Sequence, residues 1–316
     1  MPAPDTAALG LGLAALARPG YITLGHGADL EGNYDVAAME RRTHAVLDAA
    51  RAAGVNWFDA ARSYGRSEEF LARWLAARGL MPGEVSVSSK WGYRYVANWQ
   101  VDVEKHEIKD HGLPALERQI AESRAHLGQH LSLYQVHSAT LESGILEDER
   151  VLARLAELRD AGLPIGLSLS GPRQRATLER ALGVEIAGRP LFSAVQATWN
   201  LLERAVEPAL RAAKSAGLRV LIKEAVANGR LTHRAAPASL REEAARLHVT
   251  PDAVALAAAL AQPFVDIVLS GAVTPTQLAQ NLNARTLDGS DLAERLQSLT
   301  EPPERYWSER SKLAWN

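Results

Sequence analysis

The chain has 316 residues, of which 47% are hydrophobic, and this is enough for one large α/β domain. Its 35 basic and 37 acidic residues leave a net charge of −2, and no run of like charges points to a nucleic acid or an anionic membrane. The lack of cysteine excludes disulfides, thiolate metal sites and a cysteine nucleophile. No apolar stretch approaches the ~18 residues of a membrane span, and the N-terminus has no signal-like pattern. We therefore expect a cytoplasmic protein that acts on a small molecule and binds neither nucleic acid nor a membrane.

Short apolar runs rich in valine, isoleucine and leucine alternate with longer amphipathic stretches, which is the pattern of repeated βα units around a parallel sheet. Eight strands are predicted, near Leu9–Leu13, Val55–Asp59, Val85–Lys90, Leu131–His137, Ile165–Ser168, Ala194–Thr198, Arg219–Lys223 and Ile267–Ser270. Helical spacing of apolar residues predicts helices between them, at Ala38–Ala53, Glu68–Arg78, Leu113–Leu127, Asp148–Ala161, Arg173–Leu182, Glu203–Ala216 and Pro237–Leu247. Thr250-Pro251 and Thr274-Pro275 each combine an N-cap with a proline at the first helical position, and predict two further helices.

Eight strand–helix repeats favour an α/β fold of the closed (β/α)8 or TIM barrel type, as a single domain over residues 1–316. An open doubly wound sheet requires a glycine-rich turn after the first strand. Gly10-Leu11-Gly12 lacks the third glycine of that turn and is followed by Pro19-Gly20 instead of a helix. The barrel is therefore the predicted fold.

Four polar residues lie at or just after predicted strands: Asp59, Tyr64, Lys90 and His137. In a barrel the C-terminal ends of the strands share one mouth, so these residues are expected to meet there. A lone aspartate or lysine at a strand end is more often a structural ion pair, and a lone tyrosine is usually a packing residue. The four together form a proton-relay site suited to carbonyl chemistry.

The segment Phe58-Asp59-Ala60-Ala61-Arg62-Ser63-Tyr64-Gly65-Arg66-Ser67-Glu68, with Ser89-Lys90 and Tyr134-Gln135-Val136-His137 on the next two strands, resembles the aldo-keto reductase superfamily. That resemblance implies a barrel that binds a nicotinamide cofactor without a Rossmann domain. It also implies a catalytic tetrad of Asp59, Tyr64, Lys90 and His137.

The predicted chemistry of the tetrad depends on the pKa of Tyr64, which for a free tyrosine is ~10. Lys90, held by Asp59, is expected to favour the tyrosinate and to bring this pKa toward the working range. His137 is expected to hydrogen-bond to the substrate oxygen and polarise the carbonyl. Tyr64 then donates a proton during reduction or accepts one during oxidation.

The resemblance also implies a cofactor site, and at its nicotinamide end this sequence departs from the family pattern in two places. Ser168 and Gln196 match the residues that hold the carboxamide of nicotinamide, but the position after the serine, commonly asparagine, is Leu169. An aromatic residue that stacks on the nicotinamide ring is common after the seventh strand, and this chain has Lys223 there. Lys223 is predicted to contact the cofactor phosphates, to pair with Glu224, or to act as a Schiff-base nucleophile.

The segment after the eighth strand resembles the clamp for the adenosine phosphate of the cofactor. Gly271 and Gln277 align with its usual lysine and arginine, whereas Thr274 and Asn281 are suited to the helix N-terminus and the adenine. The sequence therefore predicts a weakened preference for NADP and leaves NAD open as the cofactor. The alternative is that a distant arginine supplies the missing charge, namely Arg230, Arg234 or Arg285.

The connection from Trp91 to His111 is aromatic and charged, and is predicted to wall the substrate pocket. Trp91, Tyr93 and Trp99 are its candidate substrate-binding residues. His106 and His111 are five residues apart, which does not align them on a helix face, and no metal site is expected. The C-terminal tail, about residues 286–316, is expected either to cover the barrel mouth or to pack outside it.

The resemblance implies a nicotinamide-dependent oxidoreductase, an NAD(P)-dependent aldo-keto reductase or an aldose or alcohol dehydrogenase. Its partner would be a small carbonyl compound (an aldehyde, ketone or sugar) or the matching alcohol. Two alternatives stay open: a non-catalytic sensor or regulatory subunit that only binds the cofactor, and a Schiff-base lyase that uses Lys223.

Overall fold

The fold was analysed in a computed structural model, which describes residues 7–316. Its central strands are β1 (Ala8–Gly12), β2 (Trp57–Asp59), β3 (Ser86–Trp91), β4 (Leu131–Ala139), β5 (Ile165–Leu169), β6 (Ala194–Thr198), β7 (Arg219–Lys223) and β8 (Ile267–Ser270). They pair in parallel with their neighbours in the chain, and β8 closes on β1. The predicted (β/α)8 barrel is confirmed. The expected domain range of 1–316 stays a prediction, and its residues 1–6 lie outside the described residues.

The helices that pack around the barrel are Val36–Ala52, Ser67–Ala77, Leu113–Leu127, Glu149–Asp160, Gln174–Leu182, Glu207–Ser215, Ala238–Arg246, Pro251–Leu260 and Pro275–Leu282. Shorter helices cover His26–Asp29 and Leu292–Arg295, and a C-terminal helix covers Pro303–Ser311. Both threonine caps are confirmed. Thr250 Oγ1 accepts a hydrogen bond from Ala253 N and Thr274 Oγ1 accepts one from Gln277 N.

The start predicted for the sixth helix, Glu203, is wrong, because the helix begins at Glu207. The Asn200 side chain accepts hydrogen bonds from the backbone N–H groups of Leu202 and Glu203, at 2.9 and 3.0 Å. Glu203 accepts one in turn from Ala205 N at 2.9 Å. These side-chain bonds satisfy the backbone in a turn, so the residues do not join the helix.

The long connection after β3 contains a hairpin in which Tyr93–Tyr95 pairs antiparallel with Glu107–Lys109. A second short hairpin pairs Glu185–Ile186 with Arg189–Pro190. The C-terminal segment contacts the first hairpin, because Trp315 stacks on His106 with ring centroids 4.0 Å apart and planes 6° apart. Arg310, Ser311, Leu313 and Trp315 line a cavity at the barrel mouth, so the end of the tail lies there, whereas its helix Leu292–Arg295 contacts the helix Pro251–Leu260.

Within residues 7–316 the barrel has one apolar cluster between the strands and the surrounding helices and one in its interior, and a third, smaller cluster consists of Ala17, Leu30, Met39 and Phe70. The interior cluster consists of Trp57, Leu133, Ala194, Leu221, Ile267 and Leu269. Because side chains of a parallel barrel alternate between these two regions, both faces of each strand are buried. None of the helices within residues 7–316 has the length and apolarity needed to cross a bilayer.

Gly65, which follows Tyr64, is required by the backbone. Its φ is 57°, and a Cβ there would overlap the carbonyl oxygen of Ala17. We expect Gly65→Ala to lower the free energy of unfolding by about 3 kcal/mol, from positive φ plus the clash. Gly79 has a φ of 60° and no atom within 4 Å of a Cβ, so Gly79→Ala should lower it by only about 1 kcal/mol. Urea unfolding measures both, and equal losses would contradict the close approach to Ala17.

Candidate active site

A cavity of about 410 Å³ lies at the C-terminal ends of the barrel strands. Asp59 at the end of β2, Tyr64 in the following turn and His137 in β4 line this cavity. Lys90 in β3 is fully buried beneath it. The structure therefore brings together the four residues that were predicted to converge.

Asp59 and Lys90 form a buried ion pair between adjacent strands. Lys90 Nζ donates to Asp59 Oδ2 and, at 3.1 Å, to the carbonyl oxygen of Ala60. Asp59 Oδ1 accepts from Ser88 Oγ at 2.7 Å and from Gln196 Nε2 at 3.0 Å. Burial is the largest influence on the pKa of Lys90 and lowers it, while Asp59 opposes that shift. The extra donors to Asp59 make the pair tolerable in a site with little water.

Two cations lie close to the Tyr64 ring. Lys90 Nζ is 4.6 Å from its centroid, and the guanidinium carbon of Arg18 is 5.0 Å from it. Burial, followed by the charge of Asp59, nevertheless raises the pKa of Tyr64 well above its ordinary value. The expectation that Lys90 lowers this pKa is therefore not met, because Asp59 offsets the ammonium and the site is desolvated. Tyr64 is a neutral phenol here.

His137 is the partner of Tyr64. Its Nε2 lies 3.4 Å from the Tyr64 hydroxyl oxygen, and its Nδ1 lies 3.4 Å from Ser63 Oγ. Burial, followed by the charges of Lys90 and Arg18, lowers the pKa of His137 well below the ordinary value. A neutral imidazole and a neutral phenol thus face the cavity together. They provide hydrogen bonds for an uncharged oxygen such as that of a carbonyl or an alcohol.

Of the two residues predicted to hold the nicotinamide carboxamide, only Gln196 lines the cavity. Its amide donates to Asp59, so it also supports the ion pair. Ser168 is fully buried and its Oγ accepts from Ser138 N at 2.8 Å. Ser170, two residues further on, lines the cavity instead. Ser170 was not predicted from the sequence, although side chains alternate along a strand and Ser170 is therefore expected on the same face as Ser168.

At the end of β8, Gly271, Gln277 and Asn281 line the cavity. A Cβ on Gly271 would have no atom within 4 Å, so there is open space beside it. Asn281 Nδ2 donates to Ser270 Oγ at 2.9 Å, and Gln277 Oε1 accepts from Val273 N at 2.9 Å. Thr274 caps the next helix and is not among the lining residues.

The three arginines that could replace the missing charge of the phosphate clamp all bind acceptors of the protein itself. Arg230 pairs with Glu301 at 2.6 Å, and Arg285 donates to the carbonyl of Ala53 at 2.7 Å. Neither is among the residues that line the cavity. Arg234 does line it, but both of its terminal nitrogens bind the carboxylate of Asp29, at 3.0 and 2.5 Å.

Lys223 at the end of β7 lines the cavity, and its Nζ donates to Thr198 Oγ1 at 2.8 Å. Burial lowers the pKa of Lys223 to about 8, while the nearby carboxylate of Glu224 opposes that shift. Glu224 has a φ of 55° and binds Arg310 through both carboxylate oxygens, at 2.8 and 2.5 Å. Burial raises the pKa of Glu224, but Arg310 and then Lys223 outweigh it and lower that pKa to about 2.

Only one of the three aromatic residues proposed for substrate binding lines the cavity, namely Tyr93. Its ring packs edge-on against His137 at 5.0 Å, and burial raises its pKa to about 12. Trp91 and Trp99 are not among the residues that line the cavity. Trp91 points into the core because it lies within β3. Trp99 donates to the carbonyl of Tyr34 at 2.6 Å and is not among the lining residues.

His106 and His111, in the same connection after β3, have different hydrogen-bond partners. His111 Nε2 donates to the carbonyl oxygen of His137 at 2.8 Å. His106 Nε2 lies 2.9 Å from the carbonyl oxygen of Val101, and its ring stacks on Trp315. Both side chains are thus used in packing.

Several lining residues were not anticipated from the sequence. Arg18 is the most connected of them: its guanidinium lies 4.9 Å from the ring centroids of both Tyr21 and Trp315. It also donates to Glu107 Oε2 at 3.0 Å. Further examples are Tyr21, Asp29, Glu107, Glu224 and Arg310, and Trp315 of the tail also lines the cavity. They come from loops, short elements outside the barrel strands and the tail, where hydrophobic periodicity carries little signal.

The comparisons with known proteins agree with this geometry. A family model described as the aldo/keto reductase family matches residues 22–299. The chain belongs to this family. No curated protein matches the chain.

Solved structures of aldo-keto reductases are similar over nearly the whole chain. A Pseudomonas aeruginosa protein assigned to this class is 25% identical, with a TM-score of 0.62, 90% of this chain covered and 94% of that one. A Bacillus halodurans aldo-keto reductase in its holo form is 19% identical, with a TM-score of 0.66 and coverages of 94% and 93%. A glycerol dehydrogenase from Gluconobacter oxydans is 22% identical, with the same TM-score and coverages. The last two show the shared fold.

Membership of the aldo-keto reductases supports an oxidoreductase of carbonyl compounds and alcohols that uses a nicotinamide nucleotide. The lining offers groups that fit such a ligand. Asn281 Oδ1 and Asn228 Oδ1 are buried and find no hydrogen-bond partner among residues 7–316. Both residues line the same cavity as Tyr64 and His137. Buried acceptors without partners destabilise a protein unless a ligand or water satisfies them, and a nucleotide has donors to do so.

Removing the charge of Asp59 tests the ion pair on which this aldo-keto reductase site is built. We expect Asp59→Asn to lower the free energy of unfolding by about 3 kcal/mol, since Lys90 is then buried without an opposite charge. Asp48→Asn is the control, because Asp48 pairs with Arg78 on the surface, where solvent screens the charges, and should have a much smaller effect. Chemical denaturation measures both variants. Equal, small losses would contradict a desolvated pair.

Proposed function

We propose that this protein is a nicotinamide-dependent oxidoreductase that interconverts an aldehyde, ketone or sugar carbonyl and the corresponding alcohol, with Tyr64 as general acid and base. The observation that carries the proposal is the pairing of the Tyr64 hydroxyl with His137 Nε2, at 3.4 Å, in the wall of the cavity. The buried Lys90–Asp59 pair lies directly beneath them.

In the proposed reduction, the substrate oxygen binds between the Tyr64 hydroxyl and His137. The bound nucleotide supplies the hydride. Tyr64 gives its proton to the oxygen on which negative charge develops, and Lys90 stabilises the tyrosinate that remains. The raised pKa of Tyr64 keeps the proton in place until that charge appears. Oxidation of an alcohol runs through the same atoms in reverse.

The proposed nucleotide lies across the mouth, with its adenosine end at Gly271, Gln277 and Asn281 and its reactive end near Gln196 and Tyr64. The polar lining and the unpartnered acceptor of Asn281 support this orientation. At the adenosine end no basic side chain occupies the two clamp positions, and Arg234 is held by Asp29. These contacts support NAD(H) over NADP(H), because a 2′-phosphate would lack charge-assisted bonds.

A cofactor-binding sensor would retain the cavity but show no turnover, so the hydroxyl of Tyr64 separates the two functions. We expect Tyr64→Phe to lower kcat by about 10³-fold with little change in the dissociation constant of the nucleotide. Tyr93→Phe, which removes another hydroxyl from the same cavity, should change kcat by less than about fivefold. Steady-state kinetics would cover aldehydes and ketones with reduced nucleotides, and alcohols and aldoses with oxidised ones. Wild-type protein that binds nucleotide without turnover would favour the sensor.

Restoring a charge at the clamp tests the placement of the adenosine end. Gly271 is exposed and a side chain there meets open space. We expect wild-type protein to bind NADH at least as tightly as NADPH, and Gly271→Lys to tighten NADPH binding about tenfold through a new bond to the phosphate. NADH binding should not change. Gly271→Gln adds similar length without charge and is the control.

Tryptophan fluorescence titration measures these affinities. If the lysine and glutamine variants bound NADPH equally, Gly271 would not lie at the phosphate. If wild-type protein preferred NADPH, Arg234 would have to leave Asp29 to bind it.

A further inference from the structure

Lys223 presents unused hydrogen-bond donors to the cavity. An ammonium group has three donors, and Lys223 Nζ uses one of them for Thr198 Oγ1 at 2.8 Å. Its distance to Glu224 Oε1 is 3.6 Å, too long for a good hydrogen bond. The side chain is only 15% exposed, so the group is largely desolvated at the end of β7.

The surroundings of Lys223 carry an excess of positive charge. The carboxylate of Glu224 is bound at both oxygens by Arg310, so two cations share one anion. The other titratable groups that face Lys223 are Lys90, whose charge is balanced by Asp59, and His137, which is neutral. With a pKa of about 8, Lys223 keeps its proton at neutral pH. A net charge of about +1 therefore lies beside the reactive end of the cavity.

We propose that Lys223 makes this site discriminate between the two redox states of the nicotinamide nucleotide and favour the reduced one. This inference rests on the proposed function, because it needs a nucleotide in the cavity. The oxidised nicotinamide ring carries a positive charge and the reduced ring is neutral. The ammonium of Lys223, in a poorly hydrated wall of the cavity, therefore repels the oxidised ring and not the reduced ring.

The position of Lys223 supports this role. Hydride must pass to a carbonyl held by Tyr64 and His137, so the ring enters the cavity beside His137, close enough to Lys223 for the charge of Lys223 to act on that histidine. An aromatic side chain at this strand end would attract the cationic oxidised ring through its π face, whereas the ammonium of Lys223 repels that ring. With lysine there, the oxidised nucleotide is released more easily after reduction. The site is thereby biased toward reducing carbonyls.

The test is the ratio of the dissociation constants of oxidised and reduced nucleotide, measured by calorimetry on the full chain with NAD⁺ and NADH, and with NADP⁺ and NADPH. Lys223→Met removes the charge at similar length, Lys223→Arg keeps it, and Lys312→Met removes an exposed charge from the C-terminal segment as the matched control. We expect the dissociation constant of the oxidised form divided by that of the reduced form to fall about tenfold in Lys223→Met. The expected change is moderate because Glu224 offsets part of the charge of Lys223. The ratio should stay near the wild-type value in Lys223→Arg and Lys312→Met.

Two results would overturn the inference while leaving the proposed function intact. The ratio could be unchanged in Lys223→Met, or both affinities could fall together, which would make Lys223 a ligand of a group common to both forms. Failure of the wild-type protein to bind any of the four nucleotides would overturn the proposed function as well. Retention of NADH binding by Lys223→Met shows that the variant is folded.

Discussion

The ion pair between Asp59 and Lys90 is the interaction on which the rest of the site depends. It joins β2 to β3, and the bond from Gln196 to Asp59 ties in β6 across the barrel. Because neither charge has water around it, each must keep its partner, and the strand ends are held in a single arrangement. Tyr64 packs on the ammonium of Lys90, so its hydroxyl is placed by the same constraint. The acid–base chemistry proposed for the mouth thus depends on a buried charge pair.

Around this centre the mouth is built from further charge pairs that join distant segments. Arg18 binds Glu107 of the first hairpin, Arg234 binds Asp29, and Arg310 of the C-terminal helix binds Glu224 after β7. Each pair connects a loop to another loop or to the tail, so the walls of the cavity support one another. Several of these groups also act on the reacting residues: the charge of Arg18 opposes the rise in the pKa of Tyr64 and adds to the fall in that of His137.

The family relationship and the departures from it together define the chemistry proposed here. The tetrad supports the proposed interconversion of carbonyl and alcohol, whereas Gly271 and Gln277 leave the proposed adenosine end without the charge that the resemblance implies. In the proposed site Lys223 brings a cation to the nicotinamide end, where the resemblance implies an aromatic ring. Such a site would select its nucleotide in two ways. The lack of positive charge at the adenosine end would favour a ribose without the 2′-phosphate, and the positive charge of Lys223 would favour the reduced nicotinamide ring.

The barrel and the four residues of the tetrad could be predicted from the sequence by itself. Strand periodicity, glycine and proline signals, and the position of Asp59, Lys90 and His137 near strand ends are local properties of the chain. The pKa of Tyr64 and the places of Ser168, Trp91 and Trp99 could not be predicted. They depend on which face of a strand points inward, on burial and on partners far away in the chain. Only the tertiary structure decided that Arg18, Arg310 and Trp315 meet at the mouth, because the ion pairs and ring contacts that bring them together join residues up to hundreds of positions apart.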